Sequence, residues 1–334
     1  MATIIAAAAG NWSAGGTWTG GVVPGDGDTA DLNGYVVTMD IATVPASGTL
    51  LSLISPSKAG QLTLAMSESN TYAINATTIT AGTKTSTGLI NVSGAAPAAV
   101  LTVTGNINAS QSGGTNDCAG LVNSSTGTVN IIGNILGGSG SGGYTCYGCV
   151  NSSTGTVNVT GNVTGGSNLN GWGFGNNSTG TVIVTGNITG GSYTNMNYPP
   201  YGLSNASTGA VTVTGNITGG SGSGAGLYNW GGVVTLNNCN LINSSTAAAY
   251  VGKSPTTWNL NANNYVQWGA VKFYQDVPLA ENVTEDDTVA GVTGTYHEAT
   301  VAEVQNGVFF GAASALTGTY VGGGGRPEFR GGNL

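Results

Sequence analysis

The sequence predicts an all-β chain wound as a parallel β-helix, a solenoid of stacked coils, and three regularities predict it. The tripeptide Gly-Asn-(Ile/Val) begins at Gly105, Gly133, Gly161, Gly186 and Gly215, which sets coils of 25–29 residues. Aliphatic residues alternate about each glycine. Val103, Ile131, Val159, Val184 and Val213 stand two positions before it, and Ile107, Ile135, Val163, Ile188 and Ile217 two positions after. A period of two marks a strand with one buried face, and a helix cannot repeat that pattern at one offset from coil to coil. Asparagine recurs in two columns, Asn106, Asn134, Asn162, Asn187 and Asn216 in one, Asn123, Asn151, Asn176 and Asn205 in the other. Asparagine tolerates left-handed turns, and stacked amides can bond to one another, so the first column is expected as a structural ladder.

Taken in chain order, residues 1–45 read as an N-terminal cap or attachment region. Residues 46–250 form the solenoid, residues 251–280 supply closing strands, and residues 281–334 make a C-terminal attachment or oligomerisation tail. Short strands are expected over residues 35–40, 61–66, 72–80 and 89–94, each bounded by turn residues. The regular coils run over residues 101–241, the last one degenerate, and stack about 4.8 Å apart. Residues 256–275 carry two tryptophans and two aromatic-rich strand candidates. Both ends of such a stack are exposed sheet edges, so the termini must cap them or pair them with another subunit.

Composition removes several function classes. The chain has 334 residues, of which 59 are glycine and only 6% are charged, with a formal net charge of −8. Six Lys and Arg residues cannot supply the basic surface of a nucleic-acid binder. Glycine without a three-residue period excludes collagen. No apolar stretch approaches the roughly 20 residues that span a membrane, and residues 1–10 lack the basic start of a secretory signal. The expectation is assembly in the cytosol with no cofactor, no nucleic acid and no membrane insertion.

Catalytic groups are scarce. Between Lys84 and Lys253 the only charged residue is Asp117, whereas glycoside hydrolysis uses two neighbouring carboxylates. The reading is therefore non-enzymatic. Asp26, Asp28 and Asp31 are spaced like a calcium loop, with an Asx-rich turn after Pro24 as the plainer alternative. Cys146 and Cys149 form a single CxxC, short of the four ligands of a zinc site. Cys118 and Cys146 are 28 residues apart, one coil, so their side chains should stack, and Cys149 replaces Leu121 on the core face. Reduced structural thiols are expected, a Cys118–Cys146 bridge being the alternative. Asn-x-Ser/Thr triplets follow from the repeat rather than marking glycosylation. The outward Thr pairs at 102/104 and 212/214 are interrupted by Asn130, Ile132, Asn158 and Ile183, so no regular ice-binding array is expected.

Coil length varies in the connections over residues 140–150, 168–175 and 193–204, and in a related one leading into the last coil. These carry Tyr144, Tyr147, Trp172, Phe174, Tyr193, Tyr198, Tyr201, Tyr228 and Trp230. Insertions on one face of a solenoid often form its binding face, and exposed rings could stack on sugars. The alternative is that they cover the solenoid flank or pack between protomers.

Two segments carry a resemblance. Gly10-Asn-Trp12, Trp18, Gly21-Val-Val-Pro24-Gly-Asp-Gly-Asp28 and the strand at 36–40 resemble the opening of bacterial and phage β-helix proteins. Val289-Ala-Gly-Val-Thr-Gly-Thr-Tyr296, echoed by Ala315-Leu-Thr-Gly-Thr-Tyr320, resembles C-terminal segments of phage virion proteins. The chain thus resembles a tailed-bacteriophage virion structural protein of β-helix type: a fibre, spike or capsid-decorating protein. That resemblance implies a virion location after assembly in the host cytoplasm. It also implies contacts with other capsid or tail proteins through the termini, and often a homotrimer. Host-surface glycan is the expected external partner. A bacterial surface adhesin or matrix protein and a polysaccharide-degrading tailspike are the alternatives. The uncharged coils depart from the acidic clefts of the latter.

Overall fold

A computed structural model describes residues 1–56, 60–67, 69–81, 90–109, 118–138, 146–167, 171–192, 200–221, 224–229 and 231–242, together with the backbone of the strands between 250 and 293. Chain contacts divide it into two units, Met1–Asn259 with Asn264–Phe273, and Leu260–Asn263 with Tyr274–Leu334. In the second unit Thr288–Val289 and Val292–Thr293 pair as an antiparallel hairpin. The first unit is a parallel β-solenoid, a 19-stranded and a 10-stranded sheet facing one another across the core.

Register follows the repeat. Leu101 pairs with Val129, Val129 with Val157, Val157 with Val182 and Val182 with Val211 in parallel ladders. The columns through Leu101, Val103 and Ile107 run on to Val234, Leu236 and Leu241, and every member over that stretch is 1% exposed or less. The facing column, Ile90, Leu121, Cys149, Phe174, Leu203 and Leu227, is fully buried. Burying one such side chain stabilises the fold by about 1.5–3 kcal/mol, so the stacked columns supply the main driving force. Each Gly-Asn corner needs a left-handed backbone: φ is +135° at Gly105 and +148° at Gly133. A Cβ at Gly133 would meet the Gly105 carbonyl oxygen, so only glycine lets successive corners stack this closely.

The parallel register extends to the first residues of the chain, and the short strand expected over residues 35–40 belongs to it. Thr3–Ile5 pairs in parallel with Thr29–Asp31, which pairs with the strand at Leu50–Ser55, and Val36–Thr38 pairs with Gln61–Ala65. Residues 1–45 thus supply parallel strands to both sheets, Gly10–Asn11 among them, within the segment between Ala6 and Gly21. Trp12 and Trp18 are buried there, edge to face with ring centroids 4.9 Å apart, and Trp18 Nε1 donates to the Trp12 carbonyl. The expected closing strands also continue the stack, with Thr256–Asn259 parallel to Val234–Asn237 and Tyr265–Trp268 parallel to Leu241–Ile242.

Candidate functional site

The two asparagine columns solve different problems. The column through Asn123 is fully buried and gains a fifth rung at Asn229. Each Nδ2 donates to the Oδ1 of the next coil: Asn123 to Asn151 at 3.0 Å, Asn151 to Asn176 at 3.2 Å, Asn176 to Asn205 at 3.0 Å and Asn205 to Asn229 at 3.1 Å. From Asn151 onward, Nδ2 also donates to the carbonyl of the glycine that closes its own turn, Gly155, Gly180, Gly209 and Gly232. The first rung has no preceding asparagine, and its Oδ1 accepts from the backbone N–H and hydroxyl of Ser125 instead. A buried primary amide is tolerated because its donors and acceptor are matched in this way.

The column through Asn106 is mostly exposed, and its bonds run differently. The backbone N–H of Asn134, Asn162, Asn187 and Asn216 donates to the preceding Oδ1 at 2.9–3.0 Å, and Asn240 adds a rung at 3.2 Å. At this corner the flanking Gly133 and Ile135 amides donate forward to the next coil, and the side chain supplies the acceptor for the one pointing back.

Four of the nine aromatic candidates come together. Tyr147, Trp172, Tyr201 and Tyr228 make a continuous half-buried stack along one flank. Ring centroids lie 5.3 Å apart for Tyr147 and Trp172, 5.7 Å for Trp172 and Tyr201, and 4.8 Å for Tyr201 and Tyr228. The last pair is parallel to within 17°. A Cβ at Gly175 would come 2.6 Å from Cε1 of Tyr147, so that ring lies directly against the backbone. Burial, with the Tyr228 hydroxyl beside it, pushes the Tyr201 phenol up to about 12. The rings turn much of their area on one another and on the chain, the arrangement expected of a flank seal.

Phe174 corrects its placement among the binding aromatics. It pairs with Cys149 and Leu203 on the inward face and is completely buried. Tyr144, Tyr193, Tyr198 and Trp230 lie outside the described residues.

The remaining candidates are equally specific. The carboxylates of Asp26, Asp28 and Asp31 cap separate backbone groups: Thr49 N–H, the N–H groups of Ala2 and Gly25, and Asn33 N–H. Only the Asp31–Asn33 bond is an Asx turn; Asp26 and Asp28 also tie this segment to Thr49 and Ala2, 23 and 26 residues away. Among the described residues no three His, Cys, Asp or Glu side chains gather to hold a metal. Cys146 is disulfide-bonded, which corrects the expectation of thiols throughout, and Cys118 is its register partner in the preceding coil. Cys149 and Cys239 are buried free thiols, and burial pushes both well above the ordinary thiol range. Asp117 lies outside the described residues. Among those described, no helix is long and apolar enough to cross a membrane.

A shallow groove of about 400 Å³ runs beside the exposed asparagine column, between Asn106, Asn134 and Asn162 on one wall and Asn108, Leu136 and Thr164 on the other. Sequence reasoning treated the first wall as purely structural and passed over the second. The signal was present in the residue two places after each ladder asparagine, which points outward as the asparagine does.

No protein-family model matches the chain, and neither the curated proteins nor the solved structures offer a match. The class is set by the fold alone: a parallel β-solenoid braced by two asparagine columns.

Proposed function

We propose that the protein is a non-enzymatic virion structural protein, a fibre, spike or head-decorating component. In this reading its solenoid is a stiff, neutral rod, and its terminal regions attach to other virion proteins or self-associate, as a homotrimer. One observation carries the reading. Two asparagine columns brace coils whose sequence holds a single charged residue, Asp117, between Lys84 and Lys253. Such a surface has little with which to perform acid–base chemistry and much with which to make weak, repeated contacts, where avidity compensates for low single-site affinity. The resemblance of the N-terminal and C-terminal motifs to phage proteins supports the virion half. Host-surface glycan is the external partner that an uncharged hydroxyl- and amide-rich surface suits.

The test is incubation of the protein with host surface polysaccharide. Adsorption without new reducing ends or unsaturated sugars is expected, and release of either product would make the protein a depolymerising spike. Trp172→Ala and Tyr201→Ala report on the flank: reduced adsorption would make it a contact surface, and unchanged adsorption a seal.

A second reading, a bacterial surface adhesin or matrix protein, is favoured by the disulfide at Cys146, because disulfides persist mainly in oxidising compartments. Surface labelling of cells free of phage would support it.

A further inference from the structure

We propose that the groove beside the exposed asparagine column is a binding site for an uncharged glycan strand lying along the solenoid axis. This rests on the reading of glycan contact above, and moves that contact from the aromatic flank to a different face.

The shape has a local cause. Asn134 immediately precedes the two-residue strand Ile135–Leu136; Asn134 and Leu136 are both exposed, and Ile135 between them is buried. Parallel register repeats the arrangement at Asn106/Asn108 and Asn162/Thr164, which turns paired side chains into two walls. Ile107 and Ile135, between the paired side chains, complete the lining. Beyond Thr164 the register continues as Thr189 and Thr218, shorter side chains than Asn108 and Leu136, and neither lines the groove.

The chemistry of the walls selects the ligand. The Oδ1 atoms of Asn106, Asn134 and Asn162 accept the backbone N–H of the following coil, and Asn134 Nδ2 already donates one N–H to Asn106 Oδ1 at 3.2 Å, so what the wall has left to offer is mainly amide N–H, from one side chain per coil at about 4.8 Å. Opposite them Leu136 is 44% exposed, an aliphatic surface in an otherwise polar wall. A row of donors facing an apolar patch fits a partner with acceptor oxygens on one edge and C–H groups on the other, repeating on a comparable length. Linked pyranose rings have that character. The groove contains no cation, and the chain carries a net charge of −8, so a polyanion is disfavoured and a neutral glycan is preferred.

The experiment is calorimetric titration of the full chain with cellohexaose, chitohexaose, maltohexaose and xylohexaose, with an oligogalacturonate as the anionic comparison. Leu136→Asp and Asn108→Leu change the second wall without touching the asparagine bonds, and unchanged melting temperatures verify that both fold. The expected result is binding of at least one neutral hexasaccharide, weakened on the order of tenfold or more by Leu136→Asp. Binding that survives both wall variants but is lost in Trp172→Ala would overturn the groove and keep the glycan reading. Stronger binding of the oligogalacturonate would overturn the neutral class of ligand. No binding by any neutral sugar would overturn both the groove and the glycan contact, leaving the structural role.

Discussion

Asn151 donates its Nδ2 to Asn176 Oδ1 at 3.2 Å, across 25 residues of sequence and between two completely buried side chains. Each is thereby committed to one register. A slip of one residue would strand both amides in an apolar core, so the column acts against misregistration as well as for stability. We predict that Asn176→Ala costs about 2–5 kcal/mol, since about 1–3 kcal/mol attaches to each buried polar group left without a partner. Asn187→Ala, in the exposed column where water can replace the lost acceptor, should cost less than about 1.5 kcal/mol. Denaturant unfolding of the two variants checks the ordering, and equal costs would contradict it.

Gly186 sits at a corner with φ +146°, where a Cβ would strike the Gly161 carbonyl oxygen. Gly186→Ala should destabilise by at least about 1–3 kcal/mol, through a strained backbone and a displaced neighbouring coil. Thr185→Ala, beside it and pointing to solvent, is the control that should fall within about 0.5 kcal/mol of the parent.

Acid should loosen the N-terminal coils first. The backbone N–H groups of Ala2 and Gly25 hold the Asp28 carboxyl below its usual range; at Asp40 burial opposes the charged form, but the Ser13 hydroxyl and N–H more than offset it. A depressed folded-state pKa gives stability that is present above the ordinary carboxylate value of about 4 and lost as pH falls through the lowered one. The melting temperature should hold from neutral pH to about pH 5 and decline below about pH 4. In the Asp28→Asn, Asp40→Asn double variant that decline should be shallower.

At the other extreme, the aromatic flank should open in base. The Tyr201 phenol is raised to about 12, so stability tied to its neutral form is complete below the ordinary value of about 10 and disappears as pH rises through about 12. Tyrosinate absorbance followed alongside near-ultraviolet dichroism should show one late phase coupled to loss of ring packing. Removal of that phase by Tyr201→Phe assigns it.

Much of this was legible in the sequence because a solenoid repeats its environment. Any residue type recurring at one offset reports one place in the coil, which located the core columns, the corners and both asparagine columns. Asn240 escaped because the last coil replaces the Gly-Asn-Ile signal with Cys239-Asn240-Leu241 and moves the positive φ to Asn238. Phe174 was placed with the loop aromatics although it stands two before Asn176, as Leu121, Cys149 and Leu203 stand two before Asn123, Asn151 and Asn205. The offset that put Cys149 in the core applies to it equally. The ring stack was half legible: Tyr147, Trp172 and Tyr201 share an offset of four before the buried asparagines. Tyr228 has another offset, and only its ring contact with Tyr201 brings it in. The outward pairs that line the groove were legible at a fixed offset, Asn106/Asn108, Asn134/Leu136 and Asn162/Thr164, but the space between them depends on side-chain reach, which residue spacing does not encode.

The most direct test of the proposed role is antibody labelling of purified phage particles from the source culture, viewed by electron microscopy. Label on tail fibres, tail tips or the head surface is the predicted result, and its position would say which virion component the rod belongs to. Particles free of label, with label on the surface of uninfected cells, would contradict the virion assignment and establish the adhesin in its place.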